Sequence, residues 1–445
     1  MPGPVTTAPA VRQARWRSRL EEATTPARLR LLLALLILLS LAWGALAALT
    51  ADQHASAAAD VVAVSEPLSL DAEQIYTSLS DADATAASAF LAGGLEPAAA
   101  RQRYQADITE AAIRIEAASA LVGSSAARTE LPGHLRNQAS AAGSAVGDDL
   151  AMLSGQLPAY TDEVGTAQAD NRLGYPLGAA YLREASGLLR GTLLPAASDI
   201  YTRESALLTS ASAQATGLPL MAIAIVAGLG FGYLLYRSSR WLARHTHRVV
   251  NYGLLVAALA GLISLVWLAG AFVAGRGDLL HAQQQGSGPA QAYARAEVAA
   301  LQMHADESLT LIDNSGDDTY QEDYAKQQKL LGPGPGTLLA ATGSSQAASQ
   351  AQAWYQAHRA LRARDDAGNH TAAVASAQAG DAAHTFAGLS ATLSKGIESH
   401  QAVFASSARG GRDAFTGLAV GMIVASLVMV AGCVWGLSRR LAEYR

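Results

Sequence analysis

The sequence predicts an all-α integral membrane protein: four transmembrane helices carrying two extracytoplasmic antiparallel helical bundles of the chemoreceptor-like four-helix type. Three observations lead there. Four apolar stretches, at 29–49, 218–236, 249–273 and 415–437, each approach or exceed the ~20 residues an α-helix needs to cross a bilayer core. Two long polar segments, 50–215 and 275–414, are rich in Ala, Leu, Gln, Glu and Arg and poor in β-branched runs, a helix-forming composition. Arginine is concentrated in the short flanks of the spans.

That arginine placement sets the expected orientation. The N-terminal arm, 1–28 and its edge, carries Arg12, Arg15, Arg17, Arg19, Arg28 and Arg30. The short middle stretch 237–248 carries Arg237, Arg240, Arg244 and Arg248, and the tail 438–445 carries Arg439, Arg440 and Arg445. Short Arg-rich flanks resist translocation, so these three pieces are expected in the cytoplasm and both polar segments outside. The flanks hold 13 of the 32 Lys and Arg residues and 3 of the 37 acids, which leaves the polar segments with a net charge of −15. Such acidity argues against nucleic acid as a partner. For the first span there is a competing reading: its Arg-rich start, leucine run and Ala45-Leu46-Ala47 also resemble a cleaved signal peptide. The run is longer than the usual h-region, so an uncleaved span with both termini inside is expected.

A single Cys, Cys433, excludes an intrachain disulfide, so stability has to come from helix packing. Abundant Ala and Arg, with lysine limited to Lys326, Lys329 and Lys395, is the residue bias of a GC-rich genome and suggests an actinobacterial source.

In the first polar segment, Leu68, Ile75, Leu79 and Ala86 recur at helical spacing and lead to Phe90 and Leu91. Gly93-Gly94 is expected to stop that helix, and Pro97 to begin the next, which runs through Tyr104, Ile108, Ile113 and Ile115 to Gly123. A third helix spans Glu130 to Arg172 with a possible break near Pro158. Gly174-Tyr175-Pro176 makes a turn, and a fourth helix starts at Leu177. The second segment repeats the plan. A helix from Asp278 ends at Ile312, Asn314–Asp318 turns, and a short helix carries Tyr320, Tyr324 and Leu330. Gly332-Pro333-Gly334-Pro335-Gly336 breaks the chain, a third helix covers Leu338 to Arg364, and a fourth from Thr371 leads into the last span. Asp83 precedes Gly93, and Asp306 precedes Gly316, by the same interval, and a Tyr-x-x-Asp follows each (Tyr104 to Asp107, Tyr320 to Asp323). The chain therefore reads as two span–bundle–span units related by duplication. The layout of each half resembles the four-helix-bundle sensor module of methyl-accepting chemotaxis receptors, a likeness of architecture only.

The sequence presents no catalytic, cofactor-binding or metal-binding constellation. Walker A, H-E-x-x-H and G-x-S-x-G runs are absent. His304-Ala305-Asp306-Glu307 places consecutive residues around a helix, and His245-x-His247 lies among arginines. The spans carry no Asp, Glu, Lys or Arg at mid-depth, against a transporter. Gly228/Gly232, Gly417/Gly421 and Gly432/Gly436 form small-xxx-small pairs that would let helices approach closely.

Candidate contact residues outside are Arg172, Tyr175, Tyr181 and Arg183, in the stretch Asn171–Glu184, because Tyr and Arg dominate binding hot spots. Asp83 and Asp306 are read as contact points or helix-terminal charges. Arg237, Arg240, Arg244 and Arg248 are the candidate output contacts inside.

Pro67-Leu68-Ser69-Leu70, Leu79–Thr85, Phe90–Gly94, the Gly174–Glu184 stretch and Ala305–Ile312 together resemble the GlnX family, four-span actinobacterial membrane proteins. The resemblance covers most of the chain, in order. It implies a non-enzymatic relay between a periplasmic amino-acid-binding lipoprotein of the GlnH type and a cytoplasmic Ser/Thr kinase of the PknG type, with acidic amino acids or their amides as the ligand class. Homodimerisation is compatible with it. Two other readings stay open: a chemoreceptor-like sensor that binds a small molecule itself, and a scaffold or accessory subunit of an amino-acid uptake system.

Overall fold

A computed structural model describes residues 25–123, 133–215, 217, 219–246, 251–313 and 318–442. Among them every regular element is helical and none is a strand. The N-terminal arm up to residue 24, Arg248, the turn residues 314–317, the expected start of the third helix at Glu130, and Arg445 lie outside the described residues.

The helices are α1 (Thr25–Asp60), α2 (Glu66–Leu91), α3 (Ala98–Gly123), α4 (Gly133–Leu173), α5 (Leu177–Leu188), α6 (Leu194–Ala215), α7 (Pro219–Thr246), α8 (Tyr252–His281), α9 (Gly288–Ile312), α10 (Thr319–Leu331), α11 (Leu338–Thr342), α12 (Ser345–Asp366), α13 (His370–Ala379), α14 (Asp381–Ala414) and α15 (Leu418–Ala442). Wider π turns at Val61–Ser65, Leu189–Leu193 and Ala282–Ser287 join α1 to α2, α5 to α6 and α8 to α9. Among the described residues four helices are long and apolar enough to cross a membrane: Leu29–Leu91, Met221–Arg240, Tyr252–Ile312 and His370–Arg439.

The chain divides into two compact units, one of Ala58–Ala213 with Asp278–Gly410, the other holding the apolar stretches. In the apolar unit, the outward side chains include Leu31, Leu38, Ile223, Val226, Ile263, Val266, Val420 and Leu427, all more than half exposed. In water such faces would be costly, and they are what lipid would cover. Inside it, Trp43 Nε1 donates to Ser264 Oγ at 3.3 Å and Ser426 Oγ to the Ser40 carbonyl at 2.9 Å. Helices α8 and α15 touch backbone to backbone. A Cβ on Gly253 would fall 2.3 Å from the Gly436 nitrogen, and Asn251 Nδ2 donates to the Gly436 carbonyl at 2.9 Å. Gly432 and Gly436 therefore serve close approach, Gly228 and Gly421 accommodate Trp43 and Trp267, and Gly232 faces open space.

The polar unit departs from the expected two bundles. Segments 58–213 and 278–410 share one unit, with Leu309 of α9 in the core of the first and Ala84 of α2 in the core of the second. Both α2 and α9 are buried on nearly all sides where they meet. The reason is visible in their composition: Ala82, Ala84, Ala86, Ala296, Ala299 and Ala305 give faces narrow enough for two helices to be enclosed together. The expected stripe Leu68, Ile75, Leu79 and Ala86 is buried, and so is Ile115, while Ile113 points outward.

Several boundaries shift for local reasons. Helix α4 continues through Pro158, whose exposed face places the donorless Ser154 carbonyl on the open side. The expected third helix of the second segment breaks at Gly343 (φ +68°) into α11 and α12, and Gly380 separates α13 from α14. The last span begins at Leu418 rather than 415, after Gly417 at φ +74°. The expected loop 237–248 is helical up to Thr246: Ser238-Ser239-Arg240-Trp241-Leu242-Ala243 contains neither Gly nor Pro, and α7 carries Arg237, Arg240 and Arg244.

Candidate functional site

Arg190 lies in the sequence Leu188-Leu189-Arg190-Gly191-Thr192-Leu193-Leu194, one charge in an apolar run. The turn Leu189–Leu193 carries its side chain between α2 and α9. Its Nε donates to Asp83 Oδ2 at 3.3 Å, its Nη1 to Asp306 Oδ1, and Ser186 Oγ adds a second donor to Asp83 at 3.0 Å. The carboxylates are almost sealed: side-chain exposure is 5% for Asp83 and 1% for Asp306. Burial pushes the Asp306 carboxyl up to about 6, with Arg190 pulling the other way. Burial also opposes the Arg190 charge, but Asp83 and Asp306 more than offset it and hold the guanidinium protonated. Around the clamp, Tyr160 and Tyr104 are raised by burial and by the nearby Asp83.

The clamp joins the two polar segments, because Asp83 and Arg190 belong to the first and Asp306 to the second. Arg183 Nη1 to Asp313 Oδ1 at 2.9 Å and Gln401 Nε2 to Glu73 Oε1 at 3.1 Å are further bridges of the same kind. Beside it, Glu307 sits between His358 Nδ1 at 2.6 Å and His304 Nδ1 at 3.8 Å. Burial alone would raise Glu307; the two imidazoles outweigh it and hold it below the ordinary carboxylate range. Tyr324 stacks on His358, ring centroids 3.7 Å apart.

The sequence-derived candidates thus separate into three groups. Asp83 and Asp306 are interior, so as direct contact points for a partner protein they are corrected: their oxygens are taken up by Arg190 and Ser186. Tyr181 packs partly against the first core and Arg183 is engaged with Asp313. Arg172 and Tyr175 are exposed, on a turn closed by Tyr175 N to the Asp170 carbonyl at 2.8 Å and by Gly174 at φ +74°. Leu173, Tyr175 and Leu177 are 67, 58 and 56% exposed there, an apolar tip on a soluble-type unit. Of the output candidates, Arg237 and Arg240 are exposed on α7, with Arg240 Nη1 donating to Tyr236 Oη at 3.0 Å. Sequence reasoning missed Arg190 and His358. The isolated charge in a leucine run was the available signal for the first, and the second had none.

Residues 57–213 match the family model of the actinobacterial sensor domain. Neither a curated protein nor a solved structure matches the chain. The sensor-domain match covers α2 to α6 and includes Asp83, Arg190 and the exposed Leu173–Leu177 turn. It supports a sensor-type actinobacterial protein with a sensing or signalling role, and Asp306 reaches the clamp from outside the matched residues.

Proposed function

We propose that the protein is a non-enzymatic transmembrane relay that receives an amino-acid-availability signal from a solute-binding lipoprotein of the GlnH type and passes it to a cytoplasmic Ser/Thr kinase of the PknG type. One observation carries the reading: the sensor-domain segment lies between the first two helices able to cross a membrane. Arginine distribution supports an outside location for it. The partner would dock on the exposed tip Leu173–Leu177 with Arg172, which offers apolar area, an aromatic ring and a guanidinium together.

Two helical runs, Leu29–Leu91 and Tyr252–Ile312, continue without a break from apolar to polar stretches and would offer rods along which a displacement travels. Arg237, Arg240 and Arg244 on α7 would present the changed state to the kinase. A relay works only if the docked partner binds two states of the protein with different affinity, and coupling of this sort is typically about 5–150-fold.

The test uses the full chain in nanodiscs and a purified amino-acid-binding lipoprotein, loaded or empty, with binding read by interferometry. The relay expects at least a ~5-fold difference between the two forms. Equal affinity of loaded and empty lipoprotein sinks it.

A further inference from the structure

The polar unit contains two adjoining cavities that the relay reading does not use. The smaller, about 220 Å³, is lined by Glu73, Asp81, Asp107, Glu297 and Glu398 with amides and hydroxyls, and no Lys, Arg or His contributes to its wall. The larger, about 710 Å³, is walled mainly by alanines of α2, α3, α13 and α14, with Phe386 and His304 stacked at 4.0 Å. Asp81 and Ser394 line both, so the two spaces meet there.

From this geometry we infer that the polar unit directly binds an organic amine, with its ammonium group in the carboxylate-lined cavity and an apolar body along the alanine-lined one. Glu73, Asp81 and Glu297 accept from Gln401, Arg103 and Ser394, but two other acceptors on the wall lack donors. Asp107 Oδ2 and Gln74 Oε1 are out of contact with solvent and receive no hydrogen bond. His304, on the wall of the larger cavity, turns its Nδ1 towards Glu307 at 3.8 Å and stacks on Phe386. An ammonium supplies three donors and the missing positive charge. Arg103, on the wall of the larger cavity, is spent on Asp81 at 2.9 Å. Among the described residues no three His, Cys, Asp or Glu side chains are placed to hold a metal ion, which favours an organic cation.

The pH behaviour of such a site follows from the groups facing it: Glu73 and Asp81 on α2, Arg103 and Asp107 on α3, Glu297 and His304 on α9, and Glu398 on α14. Burial, reinforced by Glu297, lifts Glu73 to about 8. Burial lifts Asp107 to about 7, with Asp81 adding to it, and Glu297 to about 7. Empty, the cavity holds protons near neutrality. An amine displaces them, so affinity rises with pH, by up to about tenfold per unit for each proton released.

The experiment is calorimetry and thermal shift on the full chain in nanodiscs with 2-phenylethylamine, compared with phenylacetate and 2-phenylethanol, its anionic and neutral counterparts. Binding of the amine alone, tightening from pH 6 to pH 8, is expected. Glu73→Gln and Glu297→Gln should each weaken it at least about tenfold. Ala383→Leu keeps every carboxylate and narrows the larger cavity, so it should weaken 2-phenylethylamine and leave methylammonium unchanged. No amine binding, equal binding of amine and alcohol, or variants that bind like the parent would overturn the inference. Lipoprotein docking at the Leu173–Leu177 tip does not depend on this site, so the two readings fail separately.

Discussion

Replacing Arg190 with methionine tests whether the clamp holds the two polar segments together. Methionine keeps much of the side-chain length and removes the charge that Asp83 and Asp306 share. Both carboxylates would then be left buried, with Ser186 as the remaining side-chain donor to Asp83. Removing one partner of a buried pair costs about 3–5 kcal/mol, because the charge left behind stays desolvated. For a unit of this size each kcal/mol lowers the melting midpoint by roughly 2–4 °C, so a drop of about 10 °C is expected. The measurement is circular dichroism of the full chain in nanodiscs. The deficit should shrink at pH 5. Asp306 already titrates near 6, above its ordinary value, and losing Arg190 raises it further. A carboxyl raised in the folded state contributes stability that is full at low pH and lost as pH rises through the folded pKa. Adding Asp83→Asn and Asp306→Asn to Arg190→Met should restore about half of the loss, since neutral amides need no counter-charge. An Arg190→Met protein melting within about 2 °C of the parent, or equally impaired at pH 5 and pH 8, refutes this reasoning.

Other consequences are open to measurement. Glu73 titrates near 8 instead of 4.5, so the parent should lose stability between pH 6 and 8, and Glu73→Gln should flatten that slope in pH-dependent melts. Gly253→Leu forces a side chain into the Gly436 backbone and should cost about 1–3 kcal/mol or more, read as a reduced folded yield in size-exclusion chromatography. A monodisperse Gly253→Leu protein with normal yield contradicts the close α8–α15 contact. Tyr175→Ala with Leu177→Ala removes only exposed side chains, so stability should stay within about 0.5 kcal/mol while lipoprotein docking weakens about tenfold. Unchanged docking would move the proposed surface elsewhere.

What could be read from the sequence was local. The stripe Leu68, Ile75, Leu79 and Ala86 is the buried face of α2 because one helical period fixes all four. Gly93 and Gly174 end helices at φ +64° and +74°, backbone that glycine adopts without a Cβ clash. Gly343 and Gly417 do the same, at φ +68° and +74°. The joint packing of the two polar segments was not legible, since its determinants are far apart in the chain. Arg190 and Asp306 are 116 residues apart, Glu73 and Gln401 are 328 apart, and no periodicity encodes such pairings. Burial of Asp83 and Asp306 has the same origin: an aspartate reads as a surface residue until the arginine that pays for its burial is found.

The weak repeat gains a physical meaning from that pairing. Asp83 and Asp306 stand at matching places in the two halves, ten residues before Gly93 and Gly316. The repeat supplies two aspartates, but the clamp uses one arginine, from the first half. The result is asymmetric. Asp83 has Ser186 as well as Arg190, whereas Arg190 is the only side chain bonded to the Asp306 carboxylate among the described residues. If the clamp opens, the weaker side is Asp306, while α2 stays tied to the turn that carries Arg190, and Arg183 to Asp313 with the buried Leu309 still holds the end of α9. Helix α9 is also the second half of Tyr252–Ile312, a helix that includes an apolar stretch able to cross a membrane. A proton on the Asp306 carboxyl, which burial pushes up to about 6, would remove the charge that Arg190 pairs with and weaken that bond first.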